Sequence, residues 1–164
     1  MQTDPAYLEF LRTRYAFAEW RTPDAADAVQ DLEGMSGKEL PGWTLRRATR
    51  QQGLDGVRLV RSIWATAAGG EDRLLDVEVW LCASPTEART VLLSVLGDMQ
   101  GPVGSRVTDG APGDVAFRLG GDSALAFARG RAVVRIRNAG RQVVPVTAEA
   151  AAIDGWLLGK GRGR

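Results

Sequence analysis

The sequence predicts an α+β fold: an antiparallel sheet of five to seven strands with helices packed on one face, in the order αα–βββ–α–βββ–α. Three observations predict it. Apolar residues recur at helical spacing before residue 34, whereas Val, Leu, Trp and Thr alternate at strand spacing after Trp43. A complete helix-start signal at Ser84–Glu87 divides two strand-rich stretches, and glycine clusters punctuate both at hairpin spacing. One domain is expected over residues 1–158, built from a helical segment at 1–34 and βββα units at 43–99 and 115–158. The basic tail at 159–164 is expected to be disordered.

At the N-terminus, Asp4 can cap a helix with Pro5 at its first position, where a missing N–H costs nothing. Leu8, Leu11, Tyr15 and Ala18 follow on one helical face. Thr22-Pro23 repeats the start signal, and Ala26, Val29 and Leu32 form a second stripe ending at Gly34. Residues 35–42 read as a turn-rich connection.

Strands are expected at Trp43–Gln51, Gly56–Ala67 and Arg73–Ala83, with turns at Gln52-Gly53 and across 68–72. The clearest runs Leu75, Val77, Val79 and Leu81 on one side and Asp76, Glu78 and Trp80 on the other, so one face is buried and the other wet. Ser84-Pro85-Thr86-Glu87 is a capping box, and Ala88, Val91, Leu92, Val95 and Leu96 form the apolar face of its helix, with Gly97 as the stop. Residues 100–114 read as an irregular loop. Strands at Val115–Leu119, Ala124–Ala128 and Ala132–Asn138 are joined at Gly120-Gly121-Asp122 and Arg129-Gly130-Arg131. A last helix, capped by Thr147, carries Ile153, Trp156 and Leu157 to Gly159.

Composition excludes several chemistries. The 21 Lys plus Arg and 20 Asp plus Glu nearly cancel, so no global field draws the chain to nucleic acid or an anionic membrane. Histidine is absent, which removes imidazole acid–base catalysis, Ser–His and Cys–His nucleophile pairs and imidazole metal ligands. Cys82 is the only cysteine, so an intrachain disulfide and a thiolate metal cluster are impossible. No run of 18 apolar residues suggests a transmembrane segment. A native start at Met1 implies the cytoplasm, whereas a removed signal peptide implies an extracytoplasmic setting.

Four groups of residues could carry chemistry. Arg46, Arg47, Arg50, Arg58 and Arg61 in the first two strands, with Arg135 and Arg137 in the sixth, could grip a carboxylate or phosphate. The plainer reading is a cross-strand ladder against Asp76 and Glu78 on an exposed face. The glycine-rich turns lack the strand-before, helix-after context of a phosphate cradle, and no cofactor is expected. Glu71, Asp72, Asp109, Asp114 and Asp122 lie near turns, where an acidic side chain usually bonds its own backbone. A converging pair among them would suit a hydrolase or hold a hard cation. Among Trp20, Trp43, Trp64, Trp80 and Trp156, Trp80 shares parity with Asp76 and Glu78, and Trp64 with Arg58. Cys82 reads as a small buried hydrophobe.

The segments Val77-Glu-Val-Trp-Leu-Cys-Ala-Ser-Pro-Thr-Glu-Ala-Arg89, Gly113-Asp-Val-Ala-Phe117 and Phe127-Ala-Arg-Gly-Arg-Ala-Val-Val-Arg-Ile136 carry a resemblance. Together they resemble poorly characterised bacterial α+β domains, often exported or lipoprotein-borne, over roughly residues 75–158. The resemblance implies a binding or sensing module and transfers no catalytic residue. A lipobox cysteine, which those domains often carry, is absent.

The expected function is therefore a non-enzymatic binding module that offers a sheet face or cleft to a small ligand or protein partner. Trp64, Trp80, Arg58 and Glu78 are its expected contact residues, through stacking and paired charges. The same face could join two copies in a homodimer. An Asp/Glu–Arg hydrolase or transferase is the second reading, and nucleic-acid binding through the strand arginines and tail the third.

Overall fold

The computed structural model describes residues 4–21, 23, 36–53, 55–66, 72–98 and 104–159. Its helices are α1 (Pro5–Arg14), α2 (Pro85–Asp98) and α3 (Thr147–Leu157). Its strands are β1 (Trp43–Gln52), β2 (Arg58–Thr66), β3 (Leu74–Leu81), β4 (Ser105–Arg106), β5 (Val115–Leu119), β6 (Ala124–Arg129) and β7 (Ala132–Asn138). All pair antiparallel in one seven-stranded sheet, in the order β1-β2-β3-β7-β6-β5-β4. The fold is α+β, as the sequence pattern predicts. The second helical stripe expected at 22–34 and the tail beyond Gly159 lie outside the described residues.

Two meanders meet at the sheet centre, where β3 pairs with β7 from Leu75↔Asn138 to Leu81↔Ala132. Leu75, Val77, Val79 and Leu81 share a core with Leu125, Phe127, Val134 and Ile136, and α3 covers it with Ala150, Ile153 and Leu157. On the opposite face, Val115, Phe117, Ala124, Ala126, Ala128 and Val133 pack under Ala88, Leu92, Val95 and Leu96 of α2. Leu11 of α1 and Tyr15, the residue that caps its C-terminus, also belong to this second core. Helices therefore cover both faces, which corrects the single-face expectation. The physical reason lies in β6 and the first half of β7, Ala132–Val134, whose apolar residues follow one another without alternation, as in strands buried on both sides.

Local signals act largely as read. Asp4 Oδ1 accepts a hydrogen bond from the Ala6 N–H at 3.1 Å. At α2, the Glu87 N–H donates to Ser84 Oγ at 3.1 Å, and Glu87 Oε2 accepts from the Ala83 N–H at 2.6 Å. Three details differ. Gly97 does not end α2; it is where α1 crosses, and a Cβ there would lie 2.6 Å from Leu11 Cδ1. Thr147 is the first helical residue of α3; the N-cap is Val146, held by its N–H donating to the Asp122 carbonyl at 3.0 Å. The loop at 100–114 contains the short strand β4, paired with β5 at Ser105↔Arg118 and Arg106↔Phe117.

Candidate functional site

The sheet face beneath α2 continues past that helix, which lies over β6 and β7, onto β3, β2 and β1. Register sets the side chains of this half, which no helix among the described residues covers, in three cross-strand rows. Arg47, Ile63, Asp76 and Arg137 form the first, and Thr49, Arg61, Glu78 and Arg135 the second. Gln51, Leu59, Trp80 and Val133 form the third. Neighbours within a row stand one strand apart, about 4.8 Å.

The two carboxylates are clamped. Arg61 Nε and Nη2 donate to Asp76 Oδ1 and Oδ2 at 3.1 and 2.7 Å. From the other flank, Arg137 Nε and Nη2 both donate to Asp76 Oδ2, at 3.1 and 2.8 Å. Glu78 accepts from Arg135 Nε at 2.6 Å and lies 3.9 Å from Arg61 Nε. Arg135 also sits over the Trp80 ring, 5.5 Å from its centroid.

The cross-strand ladder is thus present, but its acids are not on a wet surface. Asp76 is 3% exposed and Glu78 6%, because long arginine stems from the neighbouring strands lie over them. Burial pushes the Asp76 carboxyl up, yet the hydrogen bonds and charges of Arg61 and Arg137 outweigh it and hold Asp76 below the usual aspartate range. The same hydrogen bond raises Arg61. Three guanidiniums on two carboxylates leave one positive charge in excess.

The edge strand adds to that excess. The β1–β2 pairing shifts register between Leu45 and Arg47, a β-bulge with Arg46 as the extra residue. Arg46, Arg47 and Arg50 are all exposed and, among the described residues, have no carboxylate partner. Residues 43–66 hold five arginines against one acidic residue, Asp55, in a chain whose formal net charge is only +1. The arginines themselves stand in the sequence; the bulge that changes their parity along β1 does not, because it is set by pairing with β2.

The four expected contact residues divide between the two faces. Trp80 and Glu78 belong to the clamped face, Trp80 partly exposed and Glu78 buried. Trp64 and Arg58 share parity, as expected, but on the α3 side. There Trp64 is 0% exposed, and its Nε1 donates to Ser62 Oγ at 2.8 Å. Trp64 belongs to the core and is not part of an exposed surface, because the apolar cluster of β3, β7 and α3 encloses its indole while Ser62 satisfies its one donor. Arg58 is exposed at the start of β2, opposite Gln52 and Leu81.

Of the candidate acids near turns, Asp114 and Asp122 are tied to arginines, and Glu71 lies outside the described residues. Arg129 Nε and Nη2 grip Asp154 of α3 at 2.7 Å each, and Arg129 Nη1 reaches Asp114 Oδ1 at 3.4 Å. Asp114 Oδ2 also accepts from the Gly130 N–H at 2.7 Å. Asp122 pairs with Arg118 at 3.3 Å. Among the described residues, no three His, Cys, Asp or Glu side chains converge as metal ligands would. Burial, helped by the charge of Glu87, pushes the Cys82 thiol up to about 12. Comparison of the chain with protein-family models, with curated proteins and with solved structures finds no match in any of the three.

Proposed function

We propose that this chain is a non-enzymatic binding module that receives an anionic ligand or partner on the arginine-bearing end of its sheet. One observation carries the reading: Arg46, Arg47 and Arg50 are exposed on β1 and, among the described residues, lack a carboxylate partner. On the clamped face, which Arg47 shares, half-exposed Arg61 and Arg137 add further positive charge. Arg12, by contrast, pairs with Glu9 on its own helix. Guanidiniums held in a rigid strand and left unmatched are ready for bidentate capture of carboxylate or phosphate.

The acidic groups support binding over bond chemistry. A general base must be free to take a proton, and Asp76, Glu78, Asp114 and Asp154 are all engaged by arginine. Association of two copies through Trp64 has no exposed indole to use.

The test is retention on immobilised poly-glutamate and on polyphosphate, with polylysine as control, across a salt gradient. Retention by both polyanions that weakens steeply with salt is expected. Arg46→Ala/Arg47→Ala/Arg50→Ala should elute at clearly lower salt with an unchanged circular dichroism spectrum. Identical elution of the triple variant overturns the reading.

A further inference from the structure

We propose that β1 accepts an eighth strand: an extended acidic polypeptide segment that hydrogen-bonds along the open edge and places carboxylates beside Arg47 and Arg50. This rests on the anion-binding reading above and names the partner.

Among the described residues, the two edges of the sheet differ. One is β4, two residues long; the other is β1, ten residues long. A long edge strand presents a row of unpaired backbone donors and acceptors. Their phase follows from the hairpin end, where the Gly53 N–H donates to the Val57 carbonyl at 2.7 Å. In an antiparallel ladder such bonded pairs alternate with non-bonded ones. Counting back from Gly53, the backbone groups of Gln51, Thr49 and Arg47 turn toward β2, and those of Gln52, Arg50 and Ala48 turn outward. An incoming strand finds its hydrogen-bonding positions at those last three residues.

Charge selects the occupant. Arg47 lies on the α2 side of the sheet, in the row with Ile63, and Arg50 lies on the α3 side, opposite Val60. Two acidic residues three positions apart along an extended segment also fall on opposite faces, so each can meet one arginine. Two positions apart, both fall on one face and only one is matched. A second copy of β1 brings three more arginines and no acidic residue to the same edge, so like-charge repulsion disfavours it. Stacking of unpaired bases needs exposed rings. On β1 and β2 the two indoles are committed, Trp64 to the core and Trp43 to Glu149 through its Nε1 at 3.2 Å.

The experiment titrates the full chain into a labelled, end-blocked octapeptide, Thr-Val-Glu-Thr-Val-Glu-Thr-Val, followed by fluorescence anisotropy. Binding is expected, weakened at least tenfold by Arg47→Glu and by Arg50→Glu, two exposed positions whose variants should keep the native circular dichroism spectrum. A peptide with lysine in place of the glutamate that faces position 50 should regain affinity for the Arg50→Glu protein. Peptides N-methylated at alternate residues, one for each phase, test the backbone pairing, and at least one should lose binding. A peptide with its glutamates two apart should bind more weakly, and oligothymidylate more weakly still. Undiminished binding of both methylated peptides, or tighter binding of oligothymidylate, overturns the added strand while leaving the anion-binding reading intact. Failure of every anion to bind removes both.

Discussion

Asp76 on β3 stands opposite Arg137 on β7, and Arg61 from β2 reaches the same carboxylate from the other flank, so one buried acid ties three adjacent strands together. This junction joins the β1–β3 meander to the meander that returns through β7. Without a fully buried apolar side chain at that position, ionic and hydrogen-bond complementarity sets how the two halves meet on the α2 face.

Replacing Asp76 with asparagine should therefore destabilise the fold. Removing one partner of a buried ion pair costs roughly 3–5 kcal/mol. Both guanidiniums retain solvent access, which favours the lower end, about 3 kcal/mol. The folded-state pKa of Asp76 lies below its unfolded value. Its stabilisation is thus complete above the ordinary aspartate range, near about 4, and is lost as pH falls through the lowered folded value. Urea denaturation from pH 7 to pH 2 should show a constant gap between wild type and Asp76→Asn that closes only at the acidic end. A gap unchanged at pH 2 would contradict the assignment.

Arg129 should control how firmly α3 is attached. Its guanidinium is shared by Asp154 in α3 and by Asp114 before β5. Arg129→Ala leaves both acids without it and should cost about 3 kcal/mol. Amide hydrogen exchange in Ala150–Leu157 should accelerate more than exchange in α2. Equal acceleration across both helices would argue that α3 is held by its apolar contacts alone.

Cys82 should be inert in the native protein. With the thiol pushed up to about 12, on the order of one molecule in ten thousand carries the thiolate at pH 8. Burial at 2% exposure adds a steric barrier. Labelling with a thiol-specific chromogenic reagent should be at least a hundredfold slower in buffer than in denaturant. Comparable rates would place Cys82 at the surface.

Much of the fold was legible because local chemistry and pattern agree. Asp4-Pro5 and Ser84–Glu87 cap their helices by bonds between residues at most four apart, which no tertiary contact need supply. The alternation through Leu75–Leu81 gave both the strand and the parity that unites Asp76, Glu78 and Trp80. A glycine that admits a crossing helix and a glycine that ends one look alike in sequence; at Gly97 only the approach of Leu11 distinguishes them.

The candidate site was legible in its residues and not in its arrangement. The strand arginines could be named, but their partners depend on which strands are neighbours, and β3 meets β7 across more than fifty positions of chain. The six longer strands, the starts of α1 and α2 and the alternating faces of β3 follow from interactions within a few residues, so the sequence alone determined them; β4 and the cap of α3 it left open. Only the tertiary structure decided that Trp64 is enclosed, that α3 lies opposite α2, and that Arg46, Arg47 and Arg50 stand on the edge strand of the described sheet. Burial and charge pairing belong to the neighbours a side chain acquires when distant segments meet, and a bulge such as that at Arg46 breaks the parity from which those neighbours would be inferred.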